Sequence, residues 1–337
     1  MEHTEQSEQS EKSEKSEQSA LTPDAENILA SNDNDNEIKS AENEPMMFSL
    51  ENDKLRIEVS RHGAEMRRLT EKADGTEYLH DGDPTWWKYT SPVLFPIVGK
   101  LNENTYRVDG EEFTLPSHGF GRTSDFFIAT KSSNSLKFYL DWSSETYEQY
   151  PFRFRLIVGY SLEGNAVKIT WRVMNIDIKP IFFSIGAHPA LRCPIVKGED
   201  ITDCYLSFET TENAEKYAVT SDAFLVAEKV PGFSGDRQDL SWEFFAKGTW
   251  IFDNLASKRV TIRSKKSEKF VAVEAPDFPF WAFWSPEKGG APFICIEPWY
   301  GHADFAGYTG EFSAKHGVQT LPIGGIFDTS YKIITSA

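Results

Sequence analysis

Between Phe152 and Asn175 the chain reads FRFRLIVGYSL, then EGN, then AVKITWRVMN. Phe152, Phe154, Leu156, Val158 and Tyr160 fall on one face of an extended strand. Val167, Ile169, Trp171 and Val173 fall on one face of the return. Strict period-two alternation of this length predicts a half-buried antiparallel pair. Similar segments recur. Lys54–Ser60 alternates Leu55, Ile57 and Val59 against charged neighbours. In TYRVDGEEFTLP, residues 105–116, Asp109-Gly110 suits a tight type I′ hairpin turn. FFIAT (126–130) and SLKFYLDW (135–142) form a second hairpin candidate. CYLSFET (204–210), TWIFD (249–253), KRVTIRS (258–264), KFVAVEA (269–275), FWAFWS (280–285), FICIEPW (293–299) and FDTSYKIIT (327–335) continue the series. Helical periodicity is scarce, with one turn expected over Glu145–Tyr150, and no repeat of 20–50 residues suggests a propeller. The fold expected is all-β, a large antiparallel sandwich with few short helices.

That domain is expected over residues 46–337. Residues 1–45 contain no Phe, Trp, Tyr or Val, and carry thirteen acidic residues against three lysines. Such a segment cannot bury enough apolar surface to offset the entropy of ordering it, so a disordered acidic Ser/Glu-rich tail is expected. The whole chain carries a net charge of −17, which argues against nucleic acid and anionic membrane surfaces as partners. There is no apolar run of transmembrane length and no apolar h-region at the N-terminus. Cys193, Cys204 and Cys295 are odd in number and lack C-x-x-C spacing. They read as buried, reduced thiols, and a cytoplasmic location is expected.

Three positions could carry chemistry. In IFFSIGAHPALRCP, residues 181–194, a continuous strand would place Ile181, Phe183, Ile185 and Ala187 on a core face. Phe182, Ser184, Gly186 and His188 would lie on the other, before Pro189 stops the ladder. Small residues leading to an imidazole suggest a cleared ligand face, although Gly and Ser also mark close strand approach. Glu297, in FICIEPWYG, shares a face with Phe293, Cys295 and Trp299, where a carboxylate is costly to bury without a partner or a purpose. His118, in LPSHGFGR, sits among glycines that let backbone approach a ligand. Two imidazoles and a carboxylate form a competent acid–base set. His and Glu are also zinc ligands, but there is no H-E-x-x-H or similar close pair, and no metal is expected.

The strings FPIVGKLNENTYRVDGEEFTLPSHGFGR, SIGAHPAL, ICIEPWYGHAD and GVQTLPIGG, in that order, resemble the aldose 1-epimerase (galactose mutarotase) family, and its LacX-type branch most closely. The resemblance spans about residues 47–335. It implies a galactose mutarotase-like β-supersandwich, a small-molecule sugar substrate and no cofactor. It also implies isomerase activity that interconverts the α and β anomers of an aldohexose. His188 would be the general acid on the ring oxygen, Glu297 the general base on the anomeric hydroxyl, and His118 a histidine that orients the sugar. Lys100 stands where the family usually has Arg, which keeps the charge and loses the bidentate fork. Asp253, in IFDNL, aligns loosely with a sugar-binding aspartate. Trp299, on the Glu297 face, is the expected stacking surface, with Trp86, Trp87, Trp281 and Trp284 as further candidates or core fill. His302 and Asp304 are expected on a cleft rim or a solvated loop. Two alternatives remain: a hexose-6-phosphate mutarotase using Lys100, Arg122 and Arg192 as rim cations, and a non-catalytic sugar-binding protein.

Overall fold

The computed structural model describes residues 46–246 and 248–337. The tail expected over residues 1–45 lies outside the described residues. The Phe152–Asn175 pattern becomes two strands, Phe154–Glu163 and Ala166–Asn175, paired antiparallel with Trp171 opposite Val158 and Ile169 opposite Tyr160. They sit inside a nine-stranded sheet. On one side follow Ser135–Asp141 and Phe127–Lys131. On the other come Ile326–Thr335, Phe270–Glu274, Arg259–Ser264, Cys204–Val219 and, at the edge, Leu225–Asp239. A three-stranded sheet, Met47–Glu51, Leu55–Ser60 and Glu65–Glu71, is formed by the first described residues.

The second large sheet has six strands. Its order is Trp250–Phe252, Phe280–Trp284, Phe293–Tyr300, Ile185–Ala187 and Val93–Leu94, and Ala190–Arg192 also pairs with Phe293–Tyr300. All of its ladders are antiparallel. One hydrophobic core joins the large sheets, with Trp171, Phe154 and Ile333 from the first and Trp281, Ile294 and Ile296 from the second fully buried in it. The fold is therefore all-β and antiparallel, as the alternation predicts, in the supersandwich that the resemblance implies; among the described residues it has one short α-helix, Ser144–Gln149, where a single turn was expected. No described helix is long and apolar enough to cross a membrane.

The Asp109-Gly110 hairpin forms as expected, with Asp109 at φ +54° and Gly110 at +82°, the left-handed region that both central residues of a type I′ turn need. Two features differ from the sequence reading. Leu225–Asp239 is a strand that no alternation announces. It is an edge strand in which only Leu225 and Phe233 are buried, and it tolerates Pro231 because one side of its ladder is unpaired. The expected continuous strand Ile181–His188 breaks at Ser184. Ile181–Phe183 pairs with Gln319–Leu321, the Ser184 N–H donates to the Pro96 carbonyl (2.7 Å), and Ile185–Ala187 enters the six-stranded sheet.

Candidate active site

The site lies on the face of the six-stranded sheet turned away from the main core. Along Phe293–Tyr300, Ile294 and Ile296 point into that core, so Cys295, Glu297 and Trp299 must point the other way. Neighbouring strands place Trp284, Ala282 and Phe280 opposite these three in turn. Gly186 pairs with Trp299 and Ala190 with Cys295, so His188 falls level with Glu297 between them. Pro189 removes the ladder N–H at that point and leaves the imidazole at a strand end.

The small residues before His188 do not clear room for a ligand, as the sequence suggested. A Cβ on Gly186 would lie 2.5 Å from Trp299 Cδ1, and one on Gly301 would lie 2.2 Å from Ser184 Oγ. The space is taken by the protein's own strands. Gly186→Ala should therefore cost about 1–3 kcal/mol by overpacking, measured by chemical denaturation; an unchanged midpoint would show that Trp299 moves aside freely.

His188 and Glu297 are 6 % and 1 % exposed, and His188 Nε2 lies 3.3 Å from Glu297 Oε2. Both Glu297 carboxyl oxygens and His188 Nδ1 are buried without a hydrogen-bond partner among the described residues, so the 3.3 Å contact is an ion-pair separation. The nearby Trp299 indole N–H donates to the Ala187 carbonyl (3.1 Å). Burial pushes the Glu297 carboxyl well above the ordinary carboxylate range. Burial, with His118 and Arg122 adding to it, pushes His188 well below the usual imidazole range. Both shifts favour a neutral carboxylic acid beside a neutral imidazole. This neutral pair and the ion pair hold the same single proton; they differ only in which atom carries it.

His118 reaches the pair from the loop after the hairpin. Its ring meets His188 edge-on at 5.5 Å between centroids. The Gly99 N–H donates to His118 Nδ1 (3.1 Å), so the neutral ring carries its proton on Nε2. Burial, then Arg122 and Lys100, lowers its pKa to about 3, which keeps it neutral. Its backbone is held at φ +66°, unusual for a residue with a side chain. Gly119 must follow it, because a Cβ there would lie 2.3 Å from the Phe95 carbonyl oxygen.

The remaining expected residues are distributed around this centre. Lys100 is exposed, and its Nζ donates to the Asp222 carbonyl (3.0 Å). Asp253 follows the Trp250–Phe252 strand, and its oxygens accept from Tyr217 (2.6 Å) and Lys229 (2.5 Å). Burial opposes its ionisation, but these two partners hold its carboxyl below the usual range. Tyr217, Phe280 and Trp299 belong to one apolar cluster on this side of the sheet. Trp299 is 4 % exposed and packed against Gly186. The aromatic faces nearest the pair are instead Trp87, tilted over His188 at 4.5 Å, and Trp284, edge-on at 5.6 Å; both are half-buried. Trp281 lies in the main core. Of the candidate rim cations, Arg122 lies over Tyr89 at 4.8 Å and is close enough to act on both histidines. Arg192 is instead engaged by the Leu79 carbonyl and Asp81. His302 and Asp304 are fully buried rather than on a solvated loop, with Asp304 paired to buried Lys315 at 2.9 Å. Trp87 lies in a segment without periodicity, so only its aromatic character marks it in the sequence.

The family model for aldose 1-epimerase matches residues 46–316. Protein LacX (chromosomal) of Lactococcus lactis subsp. lactis is 32 % identical over 259 residues, which is 74 % of this chain and 86 % of that protein. A solved galactose mutarotase related enzyme from Lactobacillus acidophilus superposes with a TM-score of 0.83 at 28 % identity, covering 87 % of this chain and 98 % of that one. A galactose mutarotase-like protein from Lactobacillus casei gives 0.81 at 31 % identity, over 86 % and 99 %. With its strand order, its buried His–Glu pair and these matches together, the chain belongs to the aldose 1-epimerase family, in the LacX-type branch.

Proposed function

We propose that the protein is a cofactor-independent mutarotase that interconverts the α and β anomers of an aldohexose. The observation that carries this reading is the buried His188–Glu297 pair, with Nε2 3.3 Å from Oε2, beside the rings of Trp87 and Trp284. The anomeric oxygen and the ring oxygen of an aldose are bonded to the same carbon, so two proton-handling groups in contact match the two atoms that must exchange protons. In the ion-pair state, Glu297 removes the O1 proton as C1=O forms. The C1–O5 bond breaks, and O5 takes the proton from His188. The pair is then neutral, which is the state burial favours. C1 turns, and the reverse transfers close the ring on the other face. His118, neutral and protonated on Nε2, donates a hydrogen bond to the sugar. Trp87 and Trp284 offer apolar faces to its C–H groups.

The pair titrates as a unit, and its singly protonated form is the working one. A second proton adds at the depressed histidine, so the acid limb of kcat/KM should lie well below 6.5. The last proton leaves at the raised carboxyl, so the alkaline limb should lie well above 4.5. A plateau between the two limbs is expected. A single limb at the ordinary glutamate or histidine value would show that the pair does not set the rate.

Lys100 should contribute to binding more than to chemistry. Lys100→Ala is expected to raise KM roughly three- to tenfold, about 0.6–1.4 kcal/mol, with kcat nearly unchanged. Lys100→Arg should retain most activity. An unchanged kcat/KM for Lys100→Ala on every active sugar would make this a surface lysine.

A second reading, a hexose 6-phosphate as substrate, draws on the cations beside His118. Lys100 and Arg122 both lower the pKa of that ring, so two positive charges flank one wall of the site. Running the 6-phosphates of glucose and galactose beside the free sugars separates the two readings. The preferred substrate is the one with the higher kcat/KM.

A further inference from the structure

We propose that His188, Glu297 and Cys295 together form a site for a single zinc-class divalent cation, which excludes the sugar when bound. The three residues are about a hundred positions apart in sequence at the widest, so no ligand spacing announces them. The fold closes that gap. One donor atom from each lies within 4.8 Å of the others, and all three side chains are buried. Cys295 and Glu297 are two residues apart on one strand and share its outward face. His188 is level with Glu297 from the adjoining segment.

The His188–Glu297 pair already spans one edge of a tetrahedral site, and the Cys295 thiol, within 4.8 Å, completes it by a small rotation toward them. Zinc–nitrogen and zinc–oxygen bonds of about 2.0–2.1 Å place two ligands roughly 3.3–3.4 Å apart on a tetrahedral edge. The His188 Nε2 to Glu297 Oε2 distance is 3.3 Å. A thiolate as third ligand selects zinc or cadmium over magnesium and calcium, which prefer oxygen donors. Three protein ligands leave a fourth position free for a small molecule. Both Glu297 oxygens and His188 Nδ1 are buried without a hydrogen-bond partner among the described residues, and a bound cation would offset the charge of that carboxylate. Cys295 takes no part in the proton exchange, so it is the ligand that separates metal binding from turnover. The exclusion of sugar rests on the mutarotase reading; the binding itself does not.

The test uses the untagged, full-length chain. Zinc chloride is titrated calorimetrically, and cadmium chloride is followed by the ultraviolet thiolate-to-cadmium charge-transfer band. One equivalent per chain is expected at this site. Cys295→Ser should remove the band and weaken zinc by about tenfold or more, since loss of even an indirect partner of a ligand costs 10–100-fold. Cys295→Ala, checked by circular dichroism, covers the case in which the serine variant misfolds. In the mutarotation assay zinc should raise KM for the sugar without lowering kcat, and metal-free Cys295→Ser should turn over like wild type. Binding lost in Cys295→Ser supports the site even if no sugar is turned over, an outcome that would count against the mutarotase reading alone. Absence of the band in wild type, or zinc affinity that both Cys295 variants retain, overturns the site. Inhibition that extra sugar does not relieve overturns the exclusion.

Discussion

Glu297→Gln should give a folded protein whose anomer interconversion is slower by roughly 10²–10⁴-fold, about 2.7–5.4 kcal/mol of barrier. Glutamine keeps the shape of the side chain and removes its proton chemistry. The same change should leave thermal stability equal to wild type or higher. The folded carboxyl titrates above its unfolded value, so its contribution to stability is full below about 4.5 and is lost as pH rises through the raised folded value. At neutral pH wild type therefore carries a penalty for this group that glutamine does not. A variant that loses both activity and its melting transition would assign Glu297 a structural role. A variant that turns over at near the wild-type rate would remove it from the mechanism.

His188→Asn should be comparably severe, again roughly 10²–10⁴-fold in turnover. Asparagine retains hydrogen bonding but has no proton to exchange with the ring oxygen. The variant should also show what the pair does as a unit. With both groups changed, the loss should fall short of the product of the single losses, because each depends on the proton the other holds. Fully multiplicative losses would mean that the two residues act in separate steps. Circular dichroism on each variant separates lost chemistry from lost fold.

Much of this architecture is legible in the sequence because a sheet with one buried face writes itself as alternation. Leu55–Ser60, Phe154–Glu163 and Ala166–Asn175 are read directly from it. Leu225–Asp239 is not, because on this edge strand only Leu225 and Phe233 are buried and register shifts break its ladder, so no period-two pattern is imposed. Nor is the break at Ser184. A chain that changes sheets keeps its alternation, and only the Pro96 carbonyl that takes its N–H reveals the change.

The candidate site was legible residue by residue, but its spatial relations were not. His188, Glu297 and His118 stand out because imidazoles and a carboxylate among apolar or glycine-rich neighbours need a reason. Their contact depends on strand register, which pairs Gly186 with Trp299 and Ala190 with Cys295. The glycine that looked like space for a ligand is space for Trp299, since a missing side chain does not say what fills it. Trp87 and Trp284 sit closest to His188, while Trp299 bonds to its own backbone neighbour strand. The metal-competent grouping was invisible for the same reason: ligand spacing along a chain reports only local sites, and Cys295 and His188 meet through the sheet.

The most direct test of the central claim is polarimetry on wild-type protein added to freshly dissolved single anomers of glucose and galactose, with their 6-phosphates in parallel. The account predicts that at least one of these sugars reaches its anomeric equilibrium far faster than in buffer, with a rate proportional to protein concentration and the same final rotation. Unaccelerated mutarotation for every aldose and aldose phosphate tried, by a folded protein, would contradict it and favour a protein that binds sugar without turning it over.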